Sequence, residues 1–108
     1  MASFLIVDGD RNFREALAIA LRLDGHAASS AGGADDALAR IADGGFDCCV
    51  VDAHLLDADA VLEAATAAGM RTVVTGPHED LLAYAARRHP RAQTLPKPFA
   101  ADALARCA

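Results

Sequence analysis

The sequence is poor in aromatic residues and in lysine, with no tryptophan, one tyrosine and a single lysine among 108 residues. Acidic residues outnumber basic ones, and the formal net charge is −5. A domain that binds nucleic acid or an anionic membrane surface usually carries a basic patch, and this chain has no charge excess from which to build one. We therefore expect neither nucleic acid nor a membrane to be a partner of this domain.

Long hydrophobic runs are also missing. The apolar run near the N-terminus, residues 4–7, is too short for a signal peptide and has no positive flank, and no later run approaches the length of a membrane span. The expected location is the cytoplasm. Of the three cysteines, Cys48 and Cys49 lie in an apolar stretch and Cys107 lies in the tail, a pattern that predicts buried free thiols rather than disulfides or a metal site.

The sequence does contain enough apolar material for one core, since 54% of its residues are hydrophobic and no low-complexity tract interrupts it. We expect residues 1–108 to form a single domain. Apolar runs of four to six residues alternate with longer segments of helical periodicity, a pattern typical of βα units around a parallel sheet. The predicted class is therefore α/β.

Each apolar run and each helical pattern can be placed on the chain. A helix should follow the Asp8-Gly9-Asp10 turn and end near Asp24, where Gly25 is a suitable cap. The other predicted helices are 34–42, 59–68, 79–88 and 100–107, and the predicted strands are 3–7, 26–29, 48–51, 72–74 and 92–95.

Four polar residues follow four of these strands: Asp8, Asp52, Thr75 and Lys97. In open parallel sheets the carboxyl ends of the strands form the functional edge, so these side chains are expected to converge there. Two carboxylates, a hydroxyl and an ammonium suit phosphoryl transfer. Taken singly, each also has a structural explanation as a turn residue, a helix cap or a surface charge. Their joint placement favours a shared site, and the only lysine of a chain with nine arginines indicates that a compact charge is needed there.

The segments Phe4-Leu5-Ile6-Val7-Asp8, Val50-Val51-Asp52, Val73-Val74-Thr75 and Lys97-Pro98-Phe99 resemble those of response-regulator receiver domains over essentially the whole chain. The resemblance implies a doubly wound, five-stranded parallel sheet of flavodoxin-like order 2-1-3-4-5, with helices on both faces. It also implies a signalling domain of two-component phosphorelays, not an enzyme.

The resemblance assigns roles to the four residues and to one loop position. Asp52 would be the phospho-acceptor, served by a sensor histidine kinase, a phosphotransfer protein or a small phosphodonor, and Thr75 and Lys97 would bind the phosphoryl oxygens. Asp8, Asp52 and the backbone carbonyl of His54 would hold Mg²⁺. The Lys97-Pro98 peptide would be cis. The resemblance leaves open whether the domain forms a homodimer.

Several positions depart from the family pattern. Gly9 stands where a second acidic metal ligand is usual, so Mg²⁺ binding should be weakened. Thr94 replaces the aromatic residue that moves when the family is activated, and Leu56 and Ala60 replace the usual Pro and Gly after the acceptor. The last helix is short. Asp10 is expected to be a helix N-cap that accepts from the amide of Asn12 or Phe13.

Alternatives remain open at this point. The chain could be a pseudo-receiver that binds partners without phosphorylation, or, more remotely, an aspartate-based phosphohydrolase with Asp8 as nucleophile and Asp10 as acid. His54 is interpreted as a solvated loop residue rather than a metal ligand through its ring. His78 is expected to begin a helix, and Asp57 and Asp59 are expected to lie at a helix start.

Overall fold

The computed structural model describes residues 1–107. Strands and helices alternate along the chain, as the hydrophobic patterning predicts. The strands are β1 (Ser3–Val7), β2 (Ala27–Ala31), β3 (Cys48–Asp52), β4 (Arg71–Gly76) and β5 (Gln93–Pro96), and the helices are α1 (Arg11–Leu23), α2 (Ala34–Asp43), α3 (Ala58–Ala67), α4 (Glu79–Arg88) and α5 (Ala101–Ala105).

All four strand pairings are parallel, and the sheet order is β2-β1-β3-β4-β5. The predicted order 2-1-3-4-5 is confirmed. The register places Asp52 opposite Thr75 and Val7 opposite Val51, so that β1, β3 and β4 end at one edge of the sheet. This edge carries the polar residues that the sequence places after the strands.

Two hydrophobic clusters cover the two faces of the sheet, because successive strand residues point to opposite sides. Phe4 and Ile6 of β1 pack with α1 and α5, whereas Leu5 and Val7 pack with α2, α3 and α4. Helices therefore cover both faces. β3 is apolar on both sides, as expected for a central parallel strand.

Cys48 and Cys49 lie in β3 and are buried, one in each cluster. Burial raises the pKa of both thiols to about 12, so they stay protonated at neutral pH. Cys107 is partly exposed, and all three cysteines are free. The prediction of free thiols is confirmed, and that of full burial holds for the two cysteines of β3.

The structure corrects some predicted boundaries. β2 begins one residue later than predicted and extends to Ala31, since pairing with the whole of β1 overrides the weak strand preference of its serines. β4 includes Thr75 and Gly76, which pair with β5. α5 ends at Ala105 and is shorter than the predicted 100–107. No helix within residues 1–107 is long and apolar enough to cross a membrane.

Asp57, directly before α3, is the one non-glycine residue of the described chain with a positive φ, at φ 64° and ψ 29°. It lies at the helix start, as expected, but its side chain makes no capping hydrogen bond. Aspartate and asparagine tolerate this left-handed conformation better than other non-glycine residues, whereas β-branched side chains clash there. The turn therefore depends on the residue type at this position.

We expect Asp57→Val to lower the free energy of unfolding by about 1–2 kcal/mol, because valine is strained in the left-handed region. Asp57→Asn is the matched control and should change the same quantity by less than about 0.5 kcal/mol. Urea unfolding of the three proteins measures both effects. Equal stabilities for the valine and asparagine variants would contradict the assigned backbone conformation.

Candidate functional site

The four predicted site residues meet at the carboxyl edge of the sheet. Asp8 directly follows β1, Asp52 ends β3, Thr75 is the penultimate residue of β4, and Lys97 directly follows β5. Lys97 reaches across the sheet end, with its Nζ 2.8 Å from Asp8 Oδ2 and 3.9 Å from Asp52 Oδ1. One ammonium therefore lies between two carboxylates, and the convergence predicted from strand ends is present in the structure.

Asp8 is almost fully buried, with 2% of its surface exposed. Both of its carboxylate oxygens are engaged: Oδ2 accepts from Lys97, and Oδ1 accepts from the amide of Asp10 at 2.8 Å. Its backbone carbonyl accepts from Arg14 Nη1 at 3.2 Å. A buried charge needs a partner and hydrogen bonds, and Asp8 has both.

Lys97 is held by an aromatic ring as well as by carboxylates. Its Nζ lies 4.2 Å from the centre of the Phe13 ring, and Phe13 packs edge-to-face on Phe99 with ring centres 5.8 Å apart. A cation over a ring face gains electrostatic stabilisation. The Lys97-Pro98 peptide is cis, as the resemblance implies. Phe13 was not predicted as a site residue, because an aromatic residue near the start of a helix gives no signal of a contact with a lysine 84 positions later.

The hydroxyl of Thr75 is buried and has no hydrogen-bond partner among residues 1–107. Its backbone carbonyl accepts from the amide of Ala53 at 2.8 Å, so the main chain at this position is satisfied. A buried hydroxyl without a partner costs free energy, and in native proteins such groups often belong to functional sites. The Thr75 hydroxyl, on the residue paired with Asp52 across β3 and β4, therefore keeps an unused donor.

Asp52 is the more accessible of the two carboxylates, with its side chain 14% exposed. Its Oδ1 accepts from the amide of His54 at 3.2 Å, which is two residues further along the loop. Asp52 also lines a cleft of about 480 Å³, together with Gly9, Gly33 and Leu56. Because Asp52 lines a cleft, whereas Asp8 is buried and paired with Lys97, Asp52 is the carboxylate more open to a ligand.

Gly9 borders the same cleft without a side chain, and a Cβ built there would have no heavy atom within 4 Å. Within residues 1–107, no group of three histidine, cysteine, aspartate or glutamate side chains could hold a metal ion. The oxygens of Asp8 and Asp52 are the hard donors that Mg²⁺ prefers, but one Asp8 oxygen is already bound to the lysine. The donor set fits Mg²⁺ in kind, and Gly9 adds no carboxylate to it.

Asp10 is the N-cap of α1, and its Oδ1 accepts from the amide of Phe13 at 3.2 Å. The predicted cap is confirmed. One oxygen of this carboxylate caps the helix, and both oxygens of Asp8, the nucleophile in the phosphohydrolase interpretation, accept hydrogen bonds from Asp10 and Lys97.

Two histidines meet beside the acceptor loop. The rings of His54 and His78 pack edge-to-face with centres 5.7 Å apart, and both residues are exposed. His78 immediately precedes α4 and makes no side-chain cap, in line with its predicted place at a helix start. The sequence places the two residues in separate loops, and their contact was not predicted.

Thr94 and Leu56 are two further positions that depart from the family pattern. Thr94 lies in β5 opposite Val74 and is exposed, so no aromatic ring occupies that edge position. Leu56, in the loop after Asp52, is 83% exposed. An exposed leucine is unremarkable by itself, but here it borders the cleft at the acceptor.

Solved structures with the same fold include several response regulators. A CheY-like response regulator receiver domain protein from Methanospirillum hungatei JF-1 is 21% identical, with a TM-score of 0.82 over 98% of this chain and 89% of that one. NtrX from Brucella abortus, in complex with ATP, is 31% identical, with a TM-score of 0.82 over 96% of this chain; the chain spans only 25% of that structure.

A response regulator protein from Burkholderia pseudomallei, with a phosphorylated aspartic acid, a calcium ion and citrate, is 20% identical, with a TM-score of 0.84 over 99% of this chain and 66% of that one. No protein-family model matches the sequence, and no curated protein matches it significantly. The strand order and the positions of the four quoted segments at the strand ends agree with the fold of these solved structures. The chain therefore has the fold of the response-regulator receiver domains.

Proposed function

We propose that this chain is an atypical receiver domain that accepts a phosphoryl group on Asp52 in a two-component phosphorelay. The observation that carries the proposal is the arrangement around that residue: an accessible carboxylate beside a lysine at 3.9 Å and near a buried threonine hydroxyl without a partner. The donor would be a sensor histidine kinase or a phosphotransfer protein in the cytoplasm. The resemblance to response regulators supports the same conclusion.

The chemistry follows from the positions of these groups. An Asp52 oxygen attacks phosphorus and forms the new O–P bond while the bond from phosphorus to the donor atom breaks, and the donor leaves with that electron pair. Lys97 and the Thr75 hydroxyl are the groups available to bind the phosphoryl oxygens. The phosphoryl group on Asp52 would carry about −1.5 to −2 charge in place of the carboxylate charge of about −1, so both charge and bulk at the loop would increase and favour a rearrangement for a partner.

Asp8, Asp52 and the backbone carbonyl of His54 are the residues that would hold Mg²⁺. When bound, this ion would neutralise charge on the phosphoryl oxygens. Because Gly9 supplies no carboxylate, we expect a weakly held ion with more water ligands. Slow phosphorylation is the consequence we expect for the intact domain.

Gly9 also favours a second candidate function, a pseudo-receiver that binds its partner in one constitutive state. The open space at Gly9 and the lysine already paired with Asp8 are both features of a site that could persist without metal. The two candidates differ in one property, which is whether the acceptor site responds to a phosphoryl mimic.

The test is an amide NMR titration with Mg²⁺ followed by beryllofluoride, a stable mimic of an aspartyl phosphate. We expect saturable shifts at Asp8, Asp52, Thr75 and Lys97. Asp52→Asn removes the anionic acceptor with little change in size, and this variant should show no response to beryllofluoride.

A wild-type spectrum that does not change at millimolar concentrations of both ligands would refute the switch and favour the pseudo-receiver. Equal shifts in the wild type and in Asp52→Asn would show that binding occurs elsewhere. Far-ultraviolet circular dichroism of the variant controls for its folding.

A further inference from the structure

An open groove lies between α3 and α4. It has a volume of about 400 Å³, with Leu62 on the α3 side, Ala85 on the α4 side and Val74 of β4 between them. Leu55 and the half-exposed Tyr84 also line it. These five residues define what we call the α3–α4 groove, which is wide enough for a large apolar side chain.

The groove exists because the two helices rest on the sheet without packing closely against each other. α3 contacts β3, β4 and α2, whereas α4 contacts β4 and β5. Small residues widen the gap, since Ala58 and Ala60 of α3 also line it. Leu62, Val74 and Ala85 form the buried floor of the groove, and its accessible apolar surface comes from Leu55, Ala60 and Tyr84. Accessible apolar surface in a groove is a common feature of interaction sites.

Charge on the groove is of one sign. Asp57, Asp59 and Glu63 line it, and no arginine, lysine or histidine of residues 1–107 does so. Within the same residues, Asp57 and Glu63 take part in no ion pair. Two carboxylates that form no ion pair therefore border the groove.

Asp59 has a different role, because it joins the two helices. It accepts from His89 Nε2 at 2.6 Å and lies 3.3 Å from Arg88 Nε. The hydrogen bond from His89 holds the pKa of the Asp59 carboxyl below its usual value. Arg88, whose guanidinium lies 5.6 Å from the centre of the Tyr84 ring, and Arg91 line a separate cavity that shares Glu63 with the groove, so the basic charge near the groove lies on this side of it.

We propose that the α3–α4 groove binds a cationic amphipathic segment of a partner protein, with an apolar side chain in the groove and a lysine or arginine against Asp57 and Glu63. Charge complementarity selects this occupant, since an acidic segment would meet unpaired carboxylates. α3 has ten residues and is about 15 Å long, which matches roughly three turns of a helix bound alongside it.

The groove is connected to the acceptor loop. Ala53 and Leu55, one and three residues after Asp52, line it, as does Asp57. A segment bound there would touch the loop that carries the proposed phospho-acceptor. The docking proposal itself does not depend on phosphorylation, because the groove is open in the structure as described.

The test uses two fluorescein-labelled helical peptides with the same leucine and phenylalanine positions, one with lysines and one with glutamates at the remaining surface positions. Fluorescence anisotropy should show saturable binding of the lysine peptide that weakens with added salt, and at least tenfold weaker binding of the glutamate peptide. Amide shifts should map to Leu55, Leu62 and Tyr84.

Two variants localise the site. Ala60→Phe fills the groove from an exposed position of α3, and Glu63→Lys reverses one unpaired charge; each should weaken the lysine peptide about tenfold, which corresponds to about 1.4 kcal/mol. Asp24→Lys is the matched control, since it makes the same charge change at the exposed end of α1, on the opposite face of the sheet.

The proposal would be overturned by binding unchanged in Ala60→Phe, by equal binding of the two peptides, or by equal weakening by Asp24→Lys. Concentration-dependent shifts of the same amides without peptide would also overturn it, because the occupant would then be a second copy of this chain. None of these readouts requires a functional phospho-acceptor, so failure here is distinct from failure of the beryllofluoride test.

Discussion

Replacing Gly9 with aspartate is expected to raise the affinity of the domain for Mg²⁺ at least tenfold. A Cβ at this position meets nothing within 4 Å, and Gly9 has no positive φ, so the new side chain can be accommodated without strain. It would add a carboxylate to a donor set in which one Asp8 oxygen is already bound to Lys97. A tenfold gain corresponds to about 1.4 kcal/mol.

The same substitution should destabilise the metal-free protein. A third carboxylate would lie close to Asp8 and Asp52, and like charges in a partly buried site repel one another. Thermal unfolding with increasing Mg²⁺ measures both effects. Without the ion, the melting temperature of Gly9→Asp should be below that of the wild type, and added Mg²⁺ should raise it by more. Gly9→Asn is the matched control, with the same shape and no charge.

If Mg²⁺ raises the melting temperature of Gly9→Asn as much as that of Gly9→Asp, the missing negative charge is not what limits Mg²⁺ binding. If neither variant responds, the ion does not bind at this edge of the sheet. An increase in Mg²⁺ affinity together with faster acceptor modification would show that the residue at position 9 controls both properties.

Much of the fold could be predicted from the sequence because each level of organisation points the same way. Helical periodicity locates α1, and α4 has its predicted bounds at Glu79–Arg88. The strands were placed within a few residues by their apolar runs. The predicted strand ends differ from the observed ones, because pairing between strands decides how far β2 and β4 extend.

The candidate site was predictable in its membership but not in its contacts. The position of Asp8, Asp52, Thr75 and Lys97 after strands follows from the sequence, whereas the closer approach of the lysine to Asp8 than to Asp52 does not. Distances of this kind depend on where the packed loops place each side chain, and no sequence pattern records them.

Other features arise only from the packing of distant segments. The ring contact of His54 with His78, the α3–α4 groove and the link from Asp59 to His89 each join separate elements. The left-handed Asp57 had a weak signal, since aspartate is one of the few residues that tolerates this conformation. A sequence pattern reports local preferences, so these contacts had to be read from the structure.

The largest effect on stability is expected at Lys97. Lys97→Met keeps most of the apolar stem that packs beside Phe13 but removes the ammonium 2.8 Å from Asp8 Oδ2. Asp8 is 2% exposed and would retain a buried charge without a cation. Removing one partner of a buried ion pair typically costs about 3–5 kcal/mol, a large part of a total stability of about 5–15 kcal/mol.

A double-mutant cycle separates the ion pair from other losses. Asp8→Asn with Lys97→Met removes both charges, so the double variant should be more stable to urea than Lys97→Met alone. The stability of Lys97→Met should also rise with Mg²⁺ more steeply than that of the wild type, because the ion would be the remaining cation available to Asp8.

A loss below about 1 kcal/mol in Lys97→Met, the level of a surface ion pair, would show that Asp8 does not depend on this lysine. A large loss relieved by Mg²⁺ would show that the lysine and the metal ion neutralise the same buried carboxylate.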